Sequence, residues 1–149
     1  MLTRKEREYL YLLVFQSEFH EDKNEGIDDF SISALEEEKY FDELDLKRLS
    51  VENVDNITDA YKDICQNINN IDNIINTCLK GWTTKRIGKV ELALLRVTTY
   101  ELERCHNEEE KSSMINNIIN MAHKYGDNKS YSFINAVISN IDKREKDDI

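Results

Sequence analysis

Proline is absent from this 149-residue chain, and glycine occurs only four times. A sandwich or barrel of many short strands uses both residues at its corners, so their scarcity argues against that class. No apolar run approaches the roughly 20 residues that span a bilayer as a helix. The charged N-terminus also lacks the apolar stretch and small-residue cleavage site of a signal peptide, which makes a cytoplasmic chain the expectation. Cys65, Cys78 and Cys105 are odd in number with no CxxC spacing, as expected of thiols in a reducing compartment. His20, His106 and His123 form no i, i+4 pair, and Cys105-His106 alone supplies too few ligands for zinc, so no metal or cofactor is expected. A glycine-rich phosphate loop, a GxSxG elbow and an HExxH pair are all missing. No feature marks an active site, and the chain is not expected to be an enzyme.

Positive net charge is lacking too. The formal balance is -10, which seems to exclude a polyanionic partner, because such binding draws on Lys and Arg. The distribution alters that inference. Between Glu18 and Asp45 twelve Asp and Glu stand against Lys23 and Lys39, so the rest of the chain is neutral overall. Acidity belongs to one segment.

What is present reads as helix. Hydrophobic residues make up 40% and charged residues 34%, a globular composition. The spacing predicts a helix over 3–19 with Leu10, Leu13 and Val14 on its apolar face and Arg4, Lys5 and Arg7 in its first turns. Cations there oppose the helix dipole, so either a partner uses them or neighbouring acids such as Glu6 and Glu8 pair with them. An acidic loop follows from His20 to Asp29, then a short helix capped by Ser31 or Ser33. After Ser50, Val51, Val54, Ile57 and Tyr61 share a face. Ile64, Ile68, Ile71, Ile75 and Leu79 predict that one long helix continues, although its Asn-rich other face weakens the middle. Gly81 ends it and Thr83 or Thr84 caps the next helix, over 85–105, which is apolar nearly all round and therefore central. A polar break over 106–111 precedes a helix carrying Ile115, Ile118, Ile119 and Ala122. Gly126 stops that one, Asp127 or Asn128 caps the last, and 143–149 is a charged, frayed tail. The expected fold is all-α: a single-domain bundle of about six or seven helices.

The second half carries a recognisable pattern: Trp82, Arg86-Ile87, Glu91, Leu94-Leu95-Arg96 and Tyr100-Glu101. Ile115-Asn116-Asn117-Ile118, Ala122-His123-Lys124-Tyr125-Gly126 and Phe133-Ile134-Asn135-Ala136-Val137 follow in order. Upstream stand Arg4-Lys5-Glu6-Arg7-Glu8 and Leu12-Leu13-Val14-Phe15-Gln16. Together these resemble the NusB family of transcription antitermination factors, most weakly between Glu18 and Val54. The chain departs from the family pattern at Asn67, Asn117 and Ala136, and lacks the usual proline before the penultimate helix.

The resemblance implies one domain over 1–149, built as two packed helical subdomains (1–80 and 81–142) followed by the tail. It implies a non-catalytic, cytoplasmic factor that binds the single-stranded boxA element of RNA together with the ribosomal protein NusE. Through that pair it would act indirectly on the RNA polymerase elongation complex. Matched by position, Arg4, Lys5 and Arg7 on the first helix and Lys129, Ser130 and Phe133 at the start of the last are the implied RNA contacts. Lys80 and Arg86 add a secondary basic stretch, while Lys89 reads as a solvated charge. Phe133 is compatible with inward packing or with a stacking face, and Phe15 with core. Glu91, Arg96 and Glu101 are the implied NusE-facing set. Arg96 alone would fit an internal ion pair better, and Glu91 the partner surface. The acidic segment would repel RNA, so the isolated protein should bind it modestly and in a salt-sensitive way. The other classes are a pure protein-interaction module or homodimer of this fold, and the accessory domain of an RNA methyltransferase. The end of the chain at Ile149 counts against the second.

Overall fold

A computed structural model of the protein describes residues 1–19, 49–80 and 86–147. Trp82, the caps expected at Thr83 or Thr84, and the short helix expected after Ser31 or Ser33 lie outside the described residues. The described chain is helical throughout: α1 (Arg4–Ser17), α2 (Val51–Gln66), α3 (Ile68–Cys78), α4 (Lys89–Leu102), α5 (Glu108–Tyr125) and α6 (Asn128–Asp147). It gathers into two compact units, Leu2–Gln66 and Asn67–Ile149. None of these helices is long and apolar enough to cross a membrane.

In the first unit α1 packs on α2. Tyr9, Leu10, Leu13 and Val14 bury their side chains, as do Ile57, Ala60, Tyr61 and Ile64. The helix starts are tied together by one carboxylate. Thr3 and Glu6 form a capping box at α1, with the Thr3 hydroxyl accepting the Glu6 N–H at 3.1 Å and Glu6 Oε1 accepting the Thr3 N–H at 2.9 Å. Glu6 Oε2 also accepts from Asn53 Nδ2 at 3.0 Å and Asn56 Nδ2 at 2.9 Å, and Asn53 itself caps α2 with Ser50. Burial pushes the Glu6 carboxyl up, but the hydrogen bonds from the Thr3 N–H, Asn56 and Asn53 outweigh it and hold the group below the usual range.

In the second unit α4 is the central element, touching α3, α5 and α6. Its residues Leu92 to Leu102 are buried without interruption. Two threonines in that run satisfy their hydroxyls inside the helix, Thr98 on the Leu94 carbonyl at 2.7 Å and Thr99 on the Leu95 carbonyl at 2.8 Å. Arg96 makes a two-pronged ion pair with Asp72 of α3, Nε to Oδ1 at 2.9 Å and Nη2 to Oδ2 at 2.8 Å. Lys111 of α5 reaches Asp142 of α6 at 2.9 Å, and this bond above all raises its pKa.

Four expectations need correction. The long helix through Ile64 and Leu79 is two helices, because Asn67 leaves helical geometry at φ -111°, ψ 16°. The apolar stripe persists across that break, which is why periodicity alone read through it. The central helix starts at Lys89 and not at 85: Gly88 is extended at its N-cap (φ -63°, ψ 155°), and Arg86 and Ile87 lie outside the helix. The expected break over 106–111 ends sooner, since Asn107 accepts the Glu110 N–H at 2.8 Å and starts α5 with three acids in its first turn. Finally, α6 continues to Asp147 where fraying was expected from Lys143.

Candidate nucleic-acid interface

The start of α1 offers fewer cations than its sequence suggests. Arg4 is exposed and Lys5 half-buried, but Arg7 is 1% exposed, with Nη2 donating to the Leu2 carbonyl at 3.0 Å. The reason is positional. Arg7 stands three, four and seven residues before Leu10, Tyr11 and Val14, so it falls on the buried face of the helix. That spacing was readable in the sequence and outranks the clustering of charge. Arg7 therefore braces the start of α1, and Arg4 and Lys5 are the cations that face outward.

In the second unit, the beginnings of α4 and α6 form a cleft of about 410 Å³ lined by Arg86, Ile87, Gly88, Glu91, Asp127, Lys129, Ser130 and Phe133. Four of the residues implied as RNA contacts meet here: Arg86 and Lys129 are exposed, Phe133 is half-buried, and Ser130 is buried. Lys80 does not line it. That lysine is exposed at the end of α3 with a left-handed backbone, φ 45°, a conformation that favours glycine.

The polar floor of the cleft is built from helix starts. Asp127 caps α6 by accepting the Ser130 N–H on Oδ1 at 2.8 Å, and its own N–H approaches Ser130 Oγ at 3.4 Å. The bond from the Ser130 N–H first, and then the Ser130 hydroxyl, hold the Asp127 carboxyl below its usual range. The Ser130 hydroxyl donates to Glu91 Oε1 and also lies 3.1 Å from Asp127 Oδ1. Glu91 sits in the first turn of α4, where a carboxylate is favoured by the helix dipole.

Two glycines close on this Glu91–Ser130 pair. A Cβ on Gly88 would stand 2.2 Å from Glu91 Oε2, and one on Gly126 would stand 2.7 Å from Ser130 Cβ and 2.9 Å from the Ala122 carbonyl oxygen. Gly88 and Asp127 were not singled out as site residues from sequence. The signals that could have found them are the Gly-x-x-Glu and Asp-x-x-Ser spacings, both typical of helix starts.

The implied NusE-facing set divides in the structure. Glu91 belongs to the cleft. Arg96 is 4% exposed and engaged with Asp72, and Glu101 is 2% exposed, so neither side chain presents itself at a surface. Both stand within the run of α4 that the other helices cover, which is the physical reason they face inward. Among the described residues no three His, Cys, Asp or Glu come together as metal ligands would.

The arrangement is therefore two exposed cations, an aromatic face and a hydrogen-bonded carboxylate–hydroxyl pair around one small cleft. Such a site suits a ligand with a phosphate, a flat ring and polar ring edges.

A model of the NusB family matches residues 4–143 of this chain. A transcription antitermination protein NusB from Clostridium botulinum (strain Kyoto / Type A2) is 36% identical over 143 residues, covering 93% of this chain and 97% of its own. The structure of T. maritima NusB aligns with a TM-score of 0.70 at 27% identity, over the whole of both chains. A crystal structure of the antitermination factors NusB and NusE in complex with dsRNA shares the fold, with a TM-score of 0.71 at 22% identity over 95% of this chain and 96% of that one. By the reach of the family pattern and of its relatives along almost the whole sequence, the chain belongs to the NusB family.

Proposed function

We propose that this protein is a bacterial, cytoplasmic and non-catalytic transcription antitermination factor. In this reading it binds boxA-type single-stranded RNA together with NusE and supports read-through by RNA polymerase. The observation that carries the reading is the convergence of Arg86, Lys129, Ser130 and Phe133 on one cleft in a chain of this family. Membership of a family whose relatives are antitermination proteins supports the process, and the complex of a NusB of the same fold with NusE and dsRNA supports NusE and RNA as the partners, without bearing on the single-stranded boxA element.

Arg86 and Lys129 would hold phosphates at the cleft, Phe133 would take the face of a base, and Arg4 and Lys5 would add phosphate contacts from α1. Lys80 serves the same electrostatic role from the end of α3. Arg7, Arg96 and Glu101 act indirectly, by fixing the helices that carry the contacts. Glu91 and Asp127 offset the charge of Arg86 and Lys129 inside the cleft, so phosphate attraction there is weak and NusE is needed for tight binding.

The test is a titration of labelled boxA-type RNA with the protein, with and without NusE, at two salt concentrations. The reading predicts weak, salt-sensitive binding alone and a shift to tighter binding when NusE is added. Equal affinity in both arms, or no binding in either, would contradict it.

A further inference from the structure

We propose that Glu6 is a positioning residue for RNA binding: with Arg7 it clamps the peptide unit that leads into α1, and so holds Arg4 and Lys5 ready for phosphate. This rests on the RNA-binding function just proposed and names what makes its α1 contacts usable.

The Leu2–Thr3 peptide unit is gripped at both ends by buried side chains of opposite charge. Its carbonyl accepts from Arg7 Nη2 at 3.0 Å, and its N–H donates to Glu6 Oε1 at 2.9 Å. Each charge thus faces the end of the peptide dipole that attracts it. The second carboxylate oxygen carries the grip to the next helix. Glu6 Oε2 accepts from Asn53 Nδ2 at 3.0 Å and from Asn56 Nδ2 at 2.9 Å, both in the first two turns of α2. One carboxylate therefore fixes the start of α1 to the start of α2.

Two features give this clamp a role beyond that of a helix cap. First, its donors are a backbone N–H and two side-chain amides, so the carboxylate is satisfied without pairing with Arg4 or Lys5. Second, those two cations occupy the first turn of α1, where positive charge opposes the helix dipole and favours fraying. The clamp brackets them, with Leu2–Thr3 immediately before the pair and Glu6–Arg7 immediately after it. A turn that presents cations against its own dipole needs such an anchor. A cation on a fixed turn also loses less freedom when it meets a phosphate than one on a frayed end.

A purely electrostatic role has the opposite sign. If Glu6 acted only as a negative charge beside two cations, its removal would tighten RNA binding. As a positioning residue, its removal weakens binding, because the turn that carries Arg4 and Lys5 frays.

The experiment uses the full chain with NusE and a labelled boxA-type RNA, titrated over a series of salt concentrations. Glu6→Gln sets an amide donor against the other donors of the clamp. It should bind more weakly than wild type, with a slope of log K against log salt shallower by about 0.7 to 1.4, the loss of one or two phosphate contacts. In an Arg4→Ala/Lys5→Ala background the same substitution should change neither slope nor affinity. Asn56 is exposed, and Asn56→Asp, which sets a second carboxylate against Glu6, should also flatten the slope. Combining it with Glu6→Gln re-forms an amide–carboxylate bond with the roles exchanged and should restore the wild-type slope. Circular dichroism checks the folding of every variant. Unchanged or tighter binding by folded Glu6→Gln would overturn the proposal. So would an equal loss in the Arg4→Ala/Lys5→Ala background, which a general loss of stability would produce. If Glu6→Gln did not fold, an unchanged slope in Asn56→Asp would overturn it instead. RNA binding that is indifferent to Arg4 and Lys5 overturns the proposal alone, whereas failure of the wild type to bind the RNA with NusE present overturns the functional reading beneath it.

Discussion

Single side chains in this protein show how position overrides residue type. Glu6 and Arg7 look like part of a charged, solvated helix start, yet both are buried, and both are used to fix that start. The Glu6 pKa is held below its ordinary 4.5, so the carboxylate stabilises the fold above that pH. The contribution is lost as pH falls through the lowered folded value. Glu6→Gln should accordingly reduce stability near neutrality by about 1–3 kcal/mol. It should also flatten the acid limb of a urea-midpoint series measured against pH. A Gly126→Ala change places a methyl group against the Ala122 backbone and Ser130, which should cost about 1–3 kcal/mol by the same measurement. Lys80→Gly should act in the opposite direction, gaining about 1 kcal/mol by relieving the left-handed backbone. Of the implied contacts that reach the cleft, Arg86 and Phe133 were legible as residues of the family pattern, and Lys129 and Ser130 only by their place at the start of the last helix. Their assembly with Glu91 was not, because no local spacing says that the start of α4 lies against the start of α6.

At the scale of elements, the sequence was informative wherever one helix had one buried stripe. The faces of α1, α2, α5 and α6 follow from their 3.6-residue spacing, and the near-continuous apolar surface of α4 marks it as the helix that the others surround. Boundaries were less legible, for local reasons. Asn67 interrupts the backbone without interrupting the stripe, and Gly88 starts α4 two residues after Arg86 in a stretch whose side chains still keep helical spacing. The α3–α4 contact depends on an ion pair that no periodicity reveals. Asp72→Ala would leave Arg96 buried without its counter-charge and should destabilise the chain by about 2–4 kcal/mol. That is below the cost of a fully buried pair, because the Asp72 side chain is 22% exposed. Arg96→Met, which replaces the charge with apolar volume, should cost less than Arg96→Ala in the same denaturation experiment. If the Met variant proved as unstable as the Ala variant, packing would not be what Arg96 supplies beside its charge.

For the whole molecule, a net charge of -10 is a poor guide to its partner, since the acidity is concentrated between Glu18 and Asp45. In the function we propose, the cleft at the starts of α4 and α6 holds RNA through Arg86 and Lys129. The most direct test is the salt dependence of boxA-type RNA binding, with NusE present, for wild type and for Arg86→Ala/Lys129→Ala. Each lost phosphate contact on single-stranded RNA should reduce the slope of log K against log salt by about 0.7. The double variant should keep its fold, bind more weakly at low salt, and show a slope shallower by about 1.4. An unchanged slope and affinity in the folded double variant would contradict it.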